Sequence, residues 1–185
     1  FVGMTGQFLR GLCREVDLNF TEAALQNAAL CRSEIDREND EAAVCCAPRL
    51  LRELAEFDPK IPIVTLGKTS TLSVLGVRSI MNSRGFVWTA REIDPGPAWS
   101  KAKKAKLRGA PKWRELWLKA QIAEGRSKLA GRVVLPTVHP AFVLRSDTWL
   151  PILKLDLDRI ARWVRGDLTR DMLLENGPYV VVSKR

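Results

Sequence analysis

The spacing of apolar residues along the chain predicts three amphipathic helices. The first begins near Thr5, whose hydroxyl can cap free N–H groups. Its apolar face consists of Phe8, Leu9, Leu12 and Val16. The second spans residues 40–57 and the third residues 149–163, both with apolar side chains at helical spacing.

Short apolar runs between these helices predict buried strands. Residues 61–67 form the clearest run and residues 133–135 the next. Strand patterns also cover residues 23–29, 84–88 and 178–182. Strands that alternate with helices predict an α/β protein, with three α/β/α layers and a central parallel sheet of about four strands.

Gly67 follows a predicted strand and, with Lys68 and Thr69, opens the next predicted helix. A phosphate-binding loop of the nucleotide triphosphatases needs a further glycine five residues earlier, where Pro62 stands. The mismatch excludes that class. We interpret Gly67 as the residue that lets the chain turn from strand to helix.

Composition indicates one globular domain. Of 185 residues, 46% are hydrophobic and 28% charged. The sequence has no signal peptide and no apolar run near the roughly 18 residues that span a bilayer, so we expect a cytoplasmic protein with no membrane partner. The adjacent cysteines Cys45 and Cys46 do not suit a secreted disulfide framework and favour a reducing compartment.

The charge balance points to a polyanionic partner. Thirty Lys and Arg against 21 Asp and Glu give a net charge of +9, which favours nucleic acid, although a basic surface without a partner is the alternative. A basic stretch at residues 91–131 includes Lys101, Lys103 and Lys104, with tryptophans among the basic residues. Phosphate contact with base stacking is one interpretation. The other is an amphipathic helix that buries Trp113, Leu116, Trp117 and Ala120.

His139 is the single histidine of the chain and follows the predicted strand at residues 133–135. Pro136 and Pro140 are predicted to stop regular structure on either side of it. Ligands of α/β sheets bind at such strand ends, so His139 is a candidate site residue, and a packing histidine in a turn is the alternative. Asn27 ends another predicted strand, where its amide can hydrogen-bond a base edge or cap a turn.

Several short segments resemble, in order, motifs of the uracil-DNA glycosylase superfamily, nearest to its family 4 and to phage-type domains. These segments are Phe1-Val2-Gly3-Met4-Thr5-Gly6, Asn27-Ala28-Ala29-Leu30-Cys31-Arg32, Cys46-Ala47-Pro48-Arg49-Leu50, Pro59-Lys60 with Val64-Thr65-Leu66-Gly67, Arg84-Gly85, and Thr137-Val138-His139-Pro140-Ala141 with Leu144-Arg145. The resemblance covers most of residues 1–166, apart from the basic insertion, and assigns them to a glycosylase-like domain.

The resemblance implies a role for each motif. Phe1 would stack on an extruded uracil, Asn27 would hydrogen-bond the uracil edge and reject cytosine, and His139 would donate toward uracil O2. A loop would press into the duplex and hold its backbone with Ala141, Phe142, Leu144 and Arg145. Further DNA contacts are predicted at Thr5 and at the lysines Lys101, Lys103 and Lys104.

The family 4 pattern also implies a four-iron, four-sulfur (4Fe-4S) cluster. Cys31 and Cys46 would be two of its four thiolate ligands, and the other two belong upstream of Phe1. The cluster would then be incomplete in this chain. The alternative is two buried free thiols, and Cys13 is interpreted as a packed core residue.

The chain departs from the family pattern in four ways. The loop that positions the attacking water would lie before Phe1, and both chain ends look like cuts. Ala141 stands where the family has serine, and the insertion at residues 91–131 is long. Residues 167–185 lie outside the pattern and are interpreted as a tail that could open a further domain.

Two functions from different classes follow. The first is a monomeric uracil-DNA glycosylase of base-excision repair, an enzyme that hydrolyses the N-glycosidic bond of uracil in DNA. The second is an inactive glycosylase-like module that binds DNA, attached to a replication protein such as a phage polymerase. A purely structural domain would tolerate changes at His139 and Asn27.

Overall fold

A computed structural model describes residues 3–30, 39–77, 79–90 and 112–169, without the side chains of residues 39–41 and 112–115. Its helices are α1 (Met4–Glu15), α2 (Asn39–Ala55), α3 (Gly67–Leu75), α4 (Ile80–Ser83), α5 (Lys112–Lys128), α6 (Pro140–Val143) and α7 (Leu150–Arg165). Its strands are β1 (Ile63–Leu66), β2 (Trp88–Thr89) and β3 (Val133–Thr137). Short 3-10 helices lie at Phe20–Glu22 and Asp147–Trp149. None of the described helices is long and apolar enough to cross a membrane.

The sheet has β3 at its centre. Its order is β1-β3-β2, with β1 parallel to β3 and β2 antiparallel to it. The prediction of a parallel sheet of about four strands is therefore not confirmed, because the described residues form a mixed sheet of three strands. Of the strand predicted over residues 84–88, only Trp88 lies in a described strand, as the first residue of β2. Arg84 instead places its side chain in a buried ion pair with Asp156.

Helices cover both faces of the sheet. Val134 packs into an apolar cluster with α2, α3 and α5, whereas its neighbour Leu135 packs into a second cluster with α1, α6 and α7. Successive strand residues point to opposite faces, so β3 is buried on both sides. The described elements thus form an α/β/α arrangement, as the alternation of helices and strands predicts.

The boundaries of α1, α2, β1 and α7 agree closely with the apolar patterns. The strand predicted over residues 23–29 is wrong, because residues 23–27 are exposed and irregular. In place of a strand ladder, the carbonyl of Asn27 accepts a hydrogen bond from the Arg49 side chain of α2. The strand pattern at residues 178–182 lies outside the described residues.

Helix α5 buries a different face from the one predicted. Leu116 and Trp117 are 56% and 55% exposed, and Ala120 is exposed too. Among the described side chains of α5, the buried positions are Leu118, Ile122 and Gly125, and buried Leu129 directly follows the helix. A Cβ at Gly125 would lie 2.7 Å from Leu51 Cβ, so this glycine lets α5 approach α2 closely. The helix of the amphipathic alternative is confirmed, but its predicted buried face is not; the Trp113 side chain lies outside the description.

Candidate active site

His139 lies in the short turn between β3 and α6. It is the N-cap of α6, with Pro140 at the first helical position, so Pro140 begins a helix where the sequence analysis expected regular structure to stop. Pro136 is also not a breaker, since it lies within β3 opposite Thr65. Among the described strands, β2 pairs only with the first two residues of β3, which leaves β1 as the partner at Pro136, and the missing N–H is tolerated there.

A backbone hydrogen bond sets the tautomer of His139. The N–H of Ala141 donates to His139 Nδ1 over 3.1 Å. A nitrogen that accepts a hydrogen bond carries no proton, so the neutral imidazole holds its proton on Nε2. The turn therefore presents His139 Nε2 as a hydrogen-bond donor.

The surroundings of His139 favour its neutral form. Burial lowers the pKa of His139 below its ordinary value, and the positive charge of Arg145 lowers it further. The nine-residue helix α3 begins at Gly67, which contacts His139. The positive end of the helix dipole therefore disfavours a positive charge on the imidazole. At neutral pH the side chain is an uncharged donor.

The turn between β1 and α3 packs directly against this histidine. Gly67 has a φ of +82°, and hydroxyl groups of α3 bond the turn. Thr71 Oγ1 donates to the Gly67 carbonyl over 2.8 Å, and Ser70 Oγ donates to the Leu66 carbonyl over 2.8 Å. Thr71 Oγ1 also lies 2.9 Å from Thr65 Oγ1 inside β1. The strand end and the helix start are thus tied to each other.

A buried polar network holds the end of β3, two residues before His139. Asp156 of α7 accepts hydrogen bonds from Arg84 Nε at 3.0 Å, Arg84 Nη2 at 2.6 Å and Thr137 Oγ1 at 2.7 Å. Arg84, Asp156 and Thr137 are 3%, 2% and 0% exposed. Burial raises the pKa of Asp156, and the bonds from Thr137 and Arg84 oppose that rise.

This network was not predicted from the sequence, although one signal for it is present there. Asp156 stands on the apolar face of α7, between the buried residues Leu153, Leu157 and Ile160. A carboxylate at such a position requires a buried partner. Arg84 was interpreted only as part of a strand and a motif.

Asn27, the second residue assigned to uracil by resemblance, has a different setting. It lies in an exposed, irregular segment between α1 and α2, and its described contact is made by its backbone carbonyl with Arg49. Phe1, the third such residue, lies outside the described residues.

The predicted DNA loop follows His139 directly. Ala141 is half-buried, while Phe142 and Leu144 are 40% and 47% exposed and Arg145 is exposed. The Phe142 ring lies 5.5 Å from the Trp149 ring between centroids, which supports its position. Exposed apolar side chains beside a cation therefore lie next to the imidazole.

The other predicted DNA contacts have separate outcomes. Thr5 lies inside α1 rather than at its cap, because the helix begins earlier and Gly3 is its N-cap. The Gly3 carbonyl accepts from Gly6 N at 2.9 Å and Gln7 N at 3.1 Å. The lysines Lys101, Lys103 and Lys104 lie outside the described residues.

A basic groove of about 910 Å³ lies beside α1 and was not predicted. Its lining includes Arg10, Arg14, Asp17, Asn19, Phe20 and Thr21, so two cations share the groove with one carboxylate. The Arg10 guanidinium lies over the Phe20 ring, 5.5 Å from its centroid. Arginines with an aromatic ring suit the phosphates and bases of a nucleic-acid strand.

Cys31 and Cys46 are the predicted ligands of the 4Fe-4S cluster. Cys46 is half-buried in α2 beside exposed Cys45, and Cys31 lies outside the described residues. Among the described residues, no three potential ligand side chains form a metal-binding group. Cys13 is buried in the α1 core, and burial raises its pKa to about 11, which keeps it a protonated thiol.

Comparison with known families places this geometry in context. Residues 1–159 match the family model described as the Uracil DNA glycosylase superfamily. No curated protein and no solved structure matches the chain.

Proposed function

The chain belongs to the uracil-DNA glycosylase superfamily, and we propose that it hydrolyses the N-glycosidic bond between uracil and deoxyribose in DNA. One observation carries the proposal within the family. His139 stands at the end of a central strand, where a backbone hydrogen bond to Nδ1 leaves the proton on Nε2. This arrangement provides a fixed, neutral donor for an oxygen on which negative charge develops.

The proposed reaction needs such a donor more than it needs a nucleophilic side chain. As the bond between N1 of uracil and C1′ of the sugar breaks, the bonding electrons leave with the base, and negative charge spreads onto uracil O2. The Nε2–H of His139 donates to that oxygen. Water adds its oxygen to the sugar carbon as the base departs, and the proton that this water loses balances the negative charge of the uracil anion. A preorganised donor in a site of low dielectric contributes strongly, because it need not reorient during the reaction.

Recognition of the base is proposed for Asn27, with Phe1 as the stacking partner. An amide offers one acceptor and one donor, which match N3–H and O4 of uracil. Cytosine presents an amine and an unprotonated nitrogen at the same positions and is rejected. The exposed setting of Asn27 supports access to a ligand.

Contact with DNA is proposed for the residues that follow His139. A base must leave the stack to reach the half-buried imidazole, and apolar side chains can fill the space it leaves. Phe142 and Leu144 are exposed beside His139, and Arg145 offers a phosphate contact. Thr5, Lys101, Lys103 and Lys104 complete the proposed DNA-binding set, and the +9 charge supports it.

The experiment that tests the function is uracil release from a labelled single-stranded oligonucleotide. We expect release by the protein expressed with any sequence that precedes Phe1, and about 10²–10³-fold slower release by its His139→Ala variant, the usual loss for one oxyanion donor. Matched oligonucleotides with cytosine or thymine in place of uracil are the substrate controls. A folded protein that binds the oligonucleotide but releases no uracil would contradict the proposal.

That outcome would favour the second candidate, an inactive DNA-binding module attached to a replication protein. The basic groove with Arg10 and Arg14 supports this alternative, since it does not depend on His139. If the chain is such a module, it should bind DNA, and His139→Ala should leave that binding unchanged.

A 4Fe-4S cluster remains part of the proposal, with Cys31 and Cys46 as two of four thiolate ligands. A cluster of this kind would supply structure or electron transfer, and no step above depends on it. Iron analysis tests it in protein that is expressed with any sequence that precedes Phe1 and is purified without oxygen. Cys46→Ala should lower bound iron, whereas Cys45→Ala, one position along α2, should not.

A further inference from the structure

Gly67 and His139 make a contact between two backbones. A Cβ added to Gly67 would lie 2.8 Å from His139 Cβ, 3.5 Å from its N and 3.6 Å from its Cα. These atoms are not the far end of a flexible side chain, so a rotamer change at His139 cannot relieve the contact. Any side chain at position 67 would require one of the two turns to move.

Hydrogen bonds hold both turns in place, and a proline also holds the histidine turn, so a movement of either turn would cost free energy. On the histidine side, Pro140 fixes the start of α6, and the strand end is held by the bond from Thr137 to buried Asp156. On the glycine side, Thr71 donates to the Gly67 carbonyl and Ser70 to the Leu66 carbonyl. The parallel pairing of Leu66 with Thr137 joins the two sides.

We propose that Gly67 is a positioning residue for His139, whose missing side chain sets how deeply the imidazole sits at the end of β3. The catalytic consequence rests on the proposed glycosylase function. The contact itself does not, so the two can be tested apart. The sequence analysis interpreted Gly67 only as a turn residue.

The chain offers a matched control for Gly67→Ala. Gly131 has a φ of +83°, against +82° for Gly67, and a Cβ added there would meet nothing within 4 Å. Alanine at either position meets the same unfavourable φ, and only position 67 adds the contact with His139. The difference between the variants therefore isolates that contact.

Two readouts follow the imidazole and the reaction separately. Because His139 is the single histidine, its ring signals in an NMR titration need no further assignment. In Gly67→Ala we expect the pKa of His139 to move toward its ordinary value, because the ring leaves its half-buried position. We also expect kcat for uracil release to fall about 100-fold, the size expected for a misplacement near 1 Å. In Gly131→Ala both should match the unaltered protein.

The same titration keeps the proposal falsifiable if the protein releases no uracil. In that case the proposed function fails, while a displaced His139 signal in Gly67→Ala alone still supports the positioning role. An unchanged His139 signal and unchanged kcat in folded Gly67→Ala would overturn it.

If Gly67→Ala does not fold, a second variant decides. His139→Gly removes the Cβ that the new methyl group meets, whereas His139→Ala keeps it. The proposal expects Gly67→Ala to be tolerated in the His139→Gly background and not in the His139→Ala background, by denaturant unfolding. Equal failure in both backgrounds would overturn it.

Discussion

His139 and Asn27 are assigned to the same uracil by resemblance, yet the fold treats them differently. His139 is held by a backbone bond from Ala141, by contact with Gly67, and by a strand end tied to buried Asp156. Asn27 lies in an exposed, irregular segment, tied to α2 through its backbone carbonyl. The group proposed for charge stabilisation is thus held in place by the surrounding structure, and the group proposed for base recognition is not.

This difference has a physical basis in what each group must do. A donor to developing charge is effective only when its position is set before the reaction, because reorientation costs free energy at the transition state. A residue that selects a base can be ordered by the ligand it binds, at some cost in affinity. Changes near His139 should therefore affect both stability and rate, and changes at Asn27 should affect selectivity alone.

The largest effect is expected from Arg84→Ala. It leaves Asp156 buried with its cationic partner removed, which should lower the free energy of unfolding by about 3–5 kcal/mol. Denaturant unfolding measures this loss. Arg165→Ala is the control, since its exposed ion pair with Asp167 should be worth less than about 1 kcal/mol. Similar losses of unfolding free energy in the two variants would show that the buried pair is worth no more than an exposed one. The strand end before His139 would then not be supported by Arg84 and Asp156.

A smaller effect is expected from Thr137→Val, which removes one hydroxyl from Asp156. A hydrogen bond to a charged group is worth about 1.5–3 kcal/mol, and we expect a loss in that range together with slower uracil release. Thr65→Val is the matched control, because the buried Thr65 hydroxyl bonds the neutral Thr71 hydroxyl and should cost about 0.5–1.5 kcal/mol. An equal loss in the two variants would contradict a charged Asp156.

The pH dependence of His139 should be smaller still. Burial and Arg145 lower its pKa in the folded state, so the unfolded chain binds the proton more readily. Its contribution to stability is fully present above the unfolded pKa of about 6.5 and is lost as pH falls toward the lower folded pKa, by at most about 1.4 kcal/mol per pH unit. The difference between the unfolding curves of the protein and His139→Ala from pH 7.5 to 5 isolates it. Uracil release should likewise decline only below pH 6.5, and a decline centred above that value would contradict a neutral donor.

The smallest effect on stability is expected at Asn27. Because the residue is exposed, Asn27→Ala should change the free energy of unfolding by less than about 0.5 kcal/mol. It should nevertheless reduce the preference for uracil over cytosine in oligonucleotide binding and release. Gln26→Ala, an exposed amide one residue earlier, should change neither. A clear loss of stability in Asn27→Ala would remove the contrast with His139.

The apolar pattern alone predicted α1, α2, β1 and α7, because each buries a face that repeats at its own period. It also predicted His139 at a strand end, since the run at residues 133–135 stands directly before it. Periodicity was insufficient for α5, because the helix packed against it decides which of its faces is buried. Helix α5 buries Leu118 and Ile122 instead of Trp117, and Gly125 on the same face lets it approach α2 closely.

The sequence by itself determined the family resemblance, the layered α/β class and the single histidine, since these depend on residue order and local period. Only the tertiary structure decided the antiparallel placement of β2, the burial of Arg84 with Asp156, and the contact of Gly67 with His139. Arg84 and Asp156 are 72 residues apart along the chain, as are Gly67 and His139, so neither pair leaves a local pattern. Long-range packing brings each pair together, because burying the two apolar clusters on β3 places the ends of β1 and β3 side by side and α7 against β3.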